Sequence, residues 1–441
     1  MDPSELTAIE AARRLHEGAL SSEELTRACL DRIEALEPSV QAWAHLDPDY
    51  ALEQACAADA RRSSGAPVGP LHGLPVGVKD IFDTRDMPTE CGSTLMRARQ
   101  PNRDARVVSA LREAGAVIMG KTVTTEFAMY APGKTTNPHD PAHTPGGSSS
   151  GSAAAVACNM VPLAIGSQTN GSVIRPASFC GVYGFKPSFG AISRSGVLAL
   201  SRALDTVGVF ARTAEDLALA AEPLFGFDAC DPDSLPQARQ NLVAAATEEP
   251  PLDPVFAFVK SPVWDQADDD TREGFAELVE ELGDQCDEVE LPAPFDEAIR
   301  WHRTIMYADL AKSLARFYDK GAEQLSEVLR GMIEDGQKCL AVDYNRAVDM
   351  IEVLNAGLER IFDRYDAILT PAARGEAPAS LETTGDPIFC SMWTFVGLPA
   401  VCLPLLRGSK ELPIGVQMIG ERRGDARLLR NARWLSRKLA G

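Results

Sequence analysis

Two glycine- and serine-rich segments, joined by an apolar run, contain the residues best suited to nucleophilic chemistry. The first reads GGSSSGS at residues 146–152 and the second reads GSQTNGS at residues 166–172. Glycine lets the backbone turn tightly, so that several N–H groups can point at one position, as an oxyanion hole requires. Turns of this composition also occur where glycine only relieves crowding, and the two segments alone leave that structural alternative open.

A lysine lies in an apolar stretch upstream of both segments. Residues 73–82 read GLPVGVKDIF, which places Lys79 in a predicted strand. Burial of a charged ammonium is unfavourable, so Lys79 is expected to be either neutral or paired, for example with Asp80. A lysine whose pKa falls on burial can take a proton from a serine, and Ser–Lys pairs are a known alternative to the Ser–His–Asp triad.

Two motif matches in this region have the wrong context. Residues 115–122, GAVIMGKT, satisfy the P-loop pattern, but a helical segment precedes them and the residues between the glycines form a predicted strand, which cannot wrap phosphates. Residues 147–151, GSSSG, satisfy the nucleophile-elbow pattern around Ser149. That pattern needs an acid and a histidine downstream, and His302 is the only histidine that follows. We interpret both matches as coincidental.

The lysine strand, the GGSSSGS turn and the GSQTNGSVIRP turn together resemble the amidase signature family. The resemblance extends from about residue 5 to the LPIGVQMIG segment near the C-terminus, and the combined motif is highly specific. Within the family, the malonamidase-like bacterial members look most similar, in the segments SVIRPA, FKPS and TGDP. The resemblance implies amide hydrolysis by a serine, a bridging serine in a cis peptide and a lysine.

By motif position, the resemblance implies that Ser172 is the nucleophile, Ser148 the bridging serine and Lys79 the base. Neutral Lys79 would accept a proton through Ser148 while Ser172 attacks the amide carbonyl, and the relay would then protonate the departing amine. Water would hydrolyse the acyl-enzyme, without metal or cofactor. The expected oxyanion-hole donors are the backbone N–H groups of Thr169, Asn170, Gly171 and Ser172.

Two departures from the usual family pattern bear on the substrate. Asn170-Gly171 stands where a Gly-Gly pair is common, so the asparagine side chain is expected to narrow the pocket or touch the substrate. Arg175 lies three residues after the nucleophile, as in malonamidase-like members, which indicates that it binds the carboxylate of a short acidic amide. The open alternative is that Arg175 pins its loop to an acidic residue such as Asp205.

An α/β sheet is needed to position these residues. Helical periodicity comes first, then short apolar strands alternate with helices, then an acidic and mainly helical stretch follows, and strand patterns return at the end. We expect one α/β/α domain over residues 1–441, with a large mixed β-sheet core flanked by helices. Its predicted parts are N-terminal helices (1–65), a catalytic core (66–224), a helical cap-like insertion (225–365) and a C-terminal return to the core (366–441).

The composition limits the classes of binding partner and the cellular location that we expect. Because 63 acidic residues outnumber 43 basic ones, the net charge is −20, which disfavours nucleic acid and anionic membrane surfaces as partners. Ten cysteines without a CxxC pair or a Cys/His cluster indicate reduced thiols, a cytoplasmic location and no metal site. The N-terminus lacks the apolar core of a signal peptide, and no apolar stretch is long enough to span a membrane.

The residues and the resemblance predict an amidase that converts a small-molecule carboxamide, such as a short acidic amide, to a carboxylate and ammonia or an amine. Two alternatives stay open. One is the glutaminase-type component of a tRNA-dependent amidotransferase, which works with partner subunits, and the other is an aryl or aliphatic amidase for neutral amides. Met129 and Tyr130 are candidates for the substrate pocket, and the sequence leaves a homodimer open. An inactive relative is disfavoured because all three triad positions are filled.

Overall fold

The chain begins with helices whose first turns are capped by side chains. The computed structural model describes residues 2–236, 238 and 240–439. In α1 (Ala8–Glu17), Thr7 caps the first turn. Before α2 (Ser22–Val40), Ser21 and Glu24 each accept the other's backbone N–H, a reciprocal capping box that fixes where the helix starts. A short strand, β1 (Trp43–Leu46), separates α2 from α3 (Pro48–Ser63) in the region predicted to be helical.

In the described residues, eleven strands form one mixed sheet, which confirms the predicted α/β class. After β1, the strands are β2 (Pro75–Lys79), β3 (Val117–Thr122), β4 (Leu163–Gln168), β5 (Tyr183–Lys186), β6 (Thr206–Ala211), β7 (Phe256–Val259), β8 (Cys286–Val289), β9 (Ala367–Pro371), β10 (Ala400–Arg407) and β11 (Pro413–Ile419). Their order is β1-β3-β2-β4-β6-β5-β10-β11-β9-β7-β8. β2 pairs in parallel with both β3 and β4, and β7 pairs in parallel with β8 and β9, while the other pairs are antiparallel.

Helices of very different polarity surround this sheet. The remaining helices are α4 (Arg106–Glu113), α5 (Ser150–Ala157), α6 (Ile174–Cys180), α7 (Ala214–Ala221), α8 (Leu242–Thr247), α9 (Asp269–Leu282), α10 (Ala298–Ser313), α11 (Ala315–Gly321), α12 (Glu327–Gly336), α13 (Ala341–Phe362), α14 (Ile388–Phe395) and α15 (Asp425–Leu439). α6 is entirely buried, and α5 nearly so. In α5, a Cβ on Gly151 would lie 2.2 Å from the Ala42 carbonyl oxygen, so only glycine allows this close approach. None of the described helices is both long and apolar enough to cross a membrane.

The acidic segment 225–365 contains helices α8 to α13. It also contributes two short strands, β7 and β8, which extend one end of the sheet. β8 has no sequence signal as a buried strand, because its residues are CDEV and only Cys286 is buried. Charged side chains are compatible with an edge strand, whose outer face meets water. The boundaries proposed at 65, 224 and 365 stay predictions.

A buried ion pair supports the strand that carries Lys79. Lys121, in β3, lies with its Nζ 3.1 Å from Asp80 Oδ1, and both side chains are almost fully buried. The same ammonium also donates to the Thr89 hydroxyl at 2.7 Å and to the carbonyl oxygens of Phe82 and Pro88 at 3.0 Å. The P-loop-like match at 115–122 thus corresponds to a buried strand, as predicted, and its lysine is occupied by protein oxygens.

Replacing one member of this pair should destabilise the fold strongly. Lys121→Met leaves the Asp80 carboxylate buried without its cation, so we expect the free energy of unfolding, measured by urea denaturation, to fall by about 3–5 kcal/mol. The Asp80→Asn/Lys121→Met double variant should lose less than the sum of the two single losses, because no lone charge remains. Lys134→Met, at a half-exposed lysine 3.9 Å from Glu37, is the control and should change stability by less than about 1 kcal/mol. A loss in the double variant equal to the sum of the two single losses would contradict direct coupling of Lys121 and Asp80.

Candidate active site

The predicted catalytic residues lie where parallel strands end and buried helices begin. Lys79 is the last residue of β2, Ser148 precedes α5, and Ser172 lies in the turn between β4 and α6. β2 and β4 are parallel neighbours, so their carboxyl ends meet at the same edge of the sheet. An apolar strand followed by a turn therefore brings Lys79 and Ser172 to one edge, whereas Ser148 reaches it through the long connection between β3 and α5.

Lys79 is fully buried and contacts hydroxyl groups rather than a carboxylate. Its Nζ lies 2.7 Å from Ser148 Oγ and 2.9 Å from Ser167 Oγ, and its side chain is 0% exposed. Burial lowers the pKa of the Lys79 ammonium to about 7, although the negative charge of Asp205 opposes this shift. Asp80, the alternative partner suggested by the sequence, is engaged by Lys121. Sequence reasoning missed Ser167, which lies in the second motif but has no signal that separates it from other serines.

The peptide bond between Gly147 and Ser148 is cis, as the resemblance implies. The Ser148 carbonyl oxygen accepts the Thr125 N–H at 3.2 Å, and the Gly147 carbonyl oxygen accepts a hydrogen bond from Arg175 Nη2 at 2.7 Å. Ser149, the centre of the nucleophile-elbow match, is 0% exposed, and its Oγ contacts the backbone of Ser167 at 3.3 Å. Ser149 is therefore turned away from the open side of the site.

The turn after β4 presents consecutive unpaired N–H groups. Among the described residues, the N–H groups of Thr169, Asn170, Gly171 and Ser172 have no protein acceptor, whereas those of Val173 and Ile174 donate to Gln168 Oε1 at 2.8 and 3.0 Å. Ser172 is 8% exposed, and its hydroxyl makes no hydrogen bond to any of the described residues. Free donors beside a free hydroxyl are what an oxyanion hole and its nucleophile require.

Side chains from distant segments hold this turn in place. Gln168 Nε2 donates to Thr394 Oγ1 at 2.9 Å, and that hydroxyl donates in turn to the Asn170 carbonyl oxygen. His302 Nε2 lies 3.0 Å from the Thr169 carbonyl oxygen. Sequence reasoning missed Gln168, Thr394 and His302, because a contact between residues 226 positions apart, as for Gln168 and Thr394, leaves no mark in a single sequence.

The Asn170 side chain is fixed rather than free to move into the pocket. Its Nδ2 donates to the Tyr130 hydroxyl at 2.9 Å, and its Oδ1 accepts the Ser391 hydroxyl at 2.7 Å. Burial raises the pKa of Tyr130 to about 12, so the phenol stays protonated. Of the two predicted wall residues, Tyr130 lines a cavity, while Met129 is buried and its carbonyl oxygen accepts the Thr125 hydroxyl.

The Arg175 guanidinium is buried, and its two terminal nitrogens donate to protein oxygens, while its Nε has no partner among the described residues. Besides the Gly147 carbonyl, it donates to Thr384 Oγ1 at 3.1 Å and to the Gly385 carbonyl at 2.9 Å, and the residue is 1% exposed. Asp205, the partner suggested by the sequence, instead accepts the Thr169 hydroxyl at 2.6 Å and the N–H groups of Leu200 and Ser201. Burial raises the pKa of the Asp205 carboxyl to about 6.

Cavities lie on both sides of the turn. A cavity of about 330 Å³, here the inner cavity, lies between α10 and the segment 383–391, and its walls include Tyr130, Asn170, His302 and Ser391. An outer cavity of about 690 Å³ shares Thr383, Gly385 and Asp386 with it. A third, the rear cavity of about 380 Å³, is lined by Ser167, Thr169 and Asp205 on the other side. The described residues contain no group of three or more His, Cys, Asp or Glu side chains arranged to hold a metal ion.

Comparisons with known proteins agree with this architecture. The Amidase family model matches residues 24–429. The A subunit of glutamyl-tRNA(Gln) amidotransferase from Acidothermus cellulolyticus is 34% identical over 96% of this chain and 92% of its own length. The corresponding protein of Natranaerobius thermophilus is 32% identical over 99% of this chain and 96% of its own length.

Solved structures of related proteins match this chain over nearly their full lengths. A chain from a vestigial protein complex linked to an s-triazine catabolic enzyme has a TM-score of 0.91 at 28% identity, covering 98% of both chains. Peptide amidase from Stenotrophomonas maltophilia has a TM-score of 0.85 at 28% identity, covering 99% of this chain and 97% of its own. A particular similarity to malonamidase-like members stays a prediction. This chain belongs to the amidase signature family of serine-dependent, amide-hydrolysing enzymes.

Proposed function

We propose that this protein is an amidase that hydrolyses a carboxamide of a small molecule, through an acyl-enzyme on Ser172, to a carboxylate and ammonia or an amine. One observation carries the proposal: a fully buried lysine with a lowered pKa lies 2.7 Å from the bridging hydroxyl of Ser148. No carboxylate neutralises Lys79 by direct contact in the described residues, so deprotonation is the favourable response to its burial.

In the proposed mechanism, neutral Lys79 takes the Ser148 hydroxyl proton as Ser148 takes that of Ser172, whose Oγ then bonds to the amide carbon. The developing oxyanion is stabilised by the free N–H groups of the turn at 169–172, each worth about 3–4 kcal/mol. As the C–N bond breaks, the relay returns its proton to the leaving nitrogen. Water then attacks the ester carbon and gives one proton to the relay, which passes it to Ser172 Oγ as the ester C–O bond breaks. The acid product loses its proton to solvent and leaves as a carboxylate.

The outer cavity supports a neutral amide rather than an acidic one. The inner cavity, at about 330 Å³, lies at the small end of ligand pockets, and its lining has one cation, Arg303, and one carboxylate, Asp386. Its neighbour, the outer cavity, is lined by the carboxylates of Asp268, Asp269, Asp270, Glu376 and Asp386 against the cations Arg374 and Lys410. A substrate carboxylate would approach against this field. Because Arg175 already donates to three protein oxygens, we propose that it pins the segment 383–385 instead of binding substrate.

The glutaminase-type component of an amidotransferase is the second candidate. The observation that favours it is the match to glutamyl-tRNA(Gln) amidotransferase chains over nearly the whole sequence. The same site chemistry would then release ammonia from glutamine for a partner protein. In either case we propose a small-molecule amide as substrate and no direct contact with nucleic acid, because of the net charge of −20. Ten free cysteines support a cytoplasmic location.

Ammonia release by the purified chain tests the proposal. We expect turnover of neutral aliphatic or aryl amides, and Ser172→Ala should reduce it to below a few per cent while the melting temperature is kept. Ser149→Ala, in the nucleophile-elbow match, is the matched control and should retain activity. Glutamine hydrolysis that appears only when partner subunits are added would favour the second candidate. A folded Ser172→Ala variant with activity near that of the wild type would contradict both.

The pH dependence tests the role of Lys79. Below pH 7 the ammonium is protonated and cannot accept a proton, so kcat/KM should rise with pH through an apparent pKa near 7 and then level off. Lys79→Arg should be inactive at every pH, because arginine stays charged. Asp205→Asn removes the negative charge that raises the Lys79 pKa, so it should move the rise to lower pH. If kcat/KM of Asp205→Asn no longer rises with pH, the titrating group is Asp205 rather than Lys79.

Arg175→Ala separates loop pinning from substrate binding. Loop pinning predicts equal losses of kcat/KM for an acidic amide and a neutral amide of the same length. It also predicts a lower melting temperature, because each charge-assisted hydrogen bond contributes roughly 1.5–3 kcal/mol. Arg374→Ala, at a half-exposed arginine of the outer cavity, is the control and should change neither stability nor activity greatly. A tenfold or larger loss confined to the acidic amide would restore the carboxylate-binding role.

A further inference from the structure

His302 is the residue through which α10 reaches the turn after β4. The side chain is 1% exposed, its Nε2 lies 3.0 Å from the Thr169 carbonyl oxygen, and the residue lines the inner cavity. Thr169 belongs to the turn that presents the oxyanion donors. The imidazole thus lies between this turn and the inner cavity.

The contact with Thr169 determines which ring nitrogen carries the hydrogen. A carbonyl oxygen can only accept, so Nε2 must be the donor, and a neutral imidazole has a single N–H. Burial lowers the pKa of His302 to about 4, so the ring is neutral at ordinary pH. Nδ1 therefore carries a lone pair, and within the described residues it receives no hydrogen bond. A hydrogen-bond acceptor at a cavity wall without a protein donor is suited to a ligand donor.

The other fixed polar groups near this wall have different roles. The Tyr130 hydroxyl accepts the Asn170 amide and therefore keeps its own hydrogen to donate into the cavity. Ser391 donates to Asn170, and Asp386 Oδ1 accepts the Ile388 N–H at 3.0 Å. The lining of the inner cavity thus includes a donor at Tyr130 and an acceptor at His302, together with the charged groups of Arg303 and Asp386. A ligand that offers both a hydrogen-bond acceptor and an N–H group can pair with Tyr130 and with His302.

We propose that His302 is a specificity-determining residue whose Nδ1 accepts a hydrogen bond from an N–H group in the acyl part of the substrate, while its Nε2–H holds the oxyanion turn. The favoured substrates are carboxamides that carry an amino or acylamino N–H within a few atoms of the scissile carbonyl. This inference rests on the proposed amidase function. Donation to Nδ1 also polarises the ring and strengthens the bond to Thr169, so the correct substrate tightens the turn that stabilises its transition state.

A matched pair of ligands tests the inference on the unmodified site. N-acetylglycinamide and levulinamide have the same length and the same two carbonyl groups, and they differ only in an N–H that replaces a CH₂. We expect Ser172→Ala to bind N-acetylglycinamide roughly fivefold to tenfold more tightly, as measured by calorimetry, and the wild type to show the same preference in kcat/KM. Equal binding of the two ligands, or binding of neither, would overturn the inference.

Two substitutions at His302 separate its two hydrogen bonds. In His302→Gln the amide nitrogen can replace Nε2 against Thr169 but the acceptor at the position of Nδ1 is lost, so the preference should disappear while kcat for levulinamide falls less than in His302→Asn. In His302→Asn the amide oxygen replaces Nδ1 but nothing reaches Thr169, so the preference should persist while kcat falls for both amides. A His302→Gln variant with the wild-type preference would contradict the inference. Ligand binding without turnover by any form would instead contradict the amidase proposal.

Discussion

The buried amino group of Lys79 is the constraint on which the rest of the site depends. A charged lysine at this depth needs a carboxylate partner, and the one next to it in sequence, Asp80, is occupied by Lys121 from the adjacent strand. Lys79 is thereby left with two hydroxyls, Ser148 and Ser167, that can hydrogen-bond to it in either protonation state. The ion pair is structural, but its effect is chemical, because it withholds the countercharge that would keep Lys79 protonated.

The proposed role of Lys79 as a base requires that the N–H groups which would stabilise the developing charge are equally fixed. The contacts that hold them come from residues far along the chain. The turn after β4 is held by Thr394 in α14 and His302 in α10, while Arg175 ties the cis peptide at Gly147 to the segment 383–385. These segments flank the inner cavity, so residues that shape this cavity also hold the turn that carries the N–H groups. Altered packing of α10 is therefore expected to change turnover as well as affinity.

The sequence predicted those parts of the molecule that are local. The alternation of strands and helices was enough for the α/β class, and the Gly/Ser composition indicated two tight turns between apolar runs. The triad positions and the donors at 169–172 came from the family resemblance instead, and their roles stay predictions. Contacts between distant residues were not predictable: Arg175 and Thr384 are 209 positions apart, and each taken alone looks like an ordinary polar residue. The choice between carboxylate binding and loop pinning at Arg175 was left open for that reason. β8 was missed for a different reason, because an edge strand needs no continuous apolar face.

The acidic surroundings of the site also bear on the reaction as a whole. Hydrolysis converts a neutral carboxamide to a carboxylate, so the product gains a negative charge that the substrate lacks. The outer cavity, with five carboxylates and two cations, would repel this new charge, whereas the inner cavity has one residue of each sign, Asp386 and Arg303. Under the proposed function, the field of the outer cavity would therefore favour departure of the acidic product over its retention.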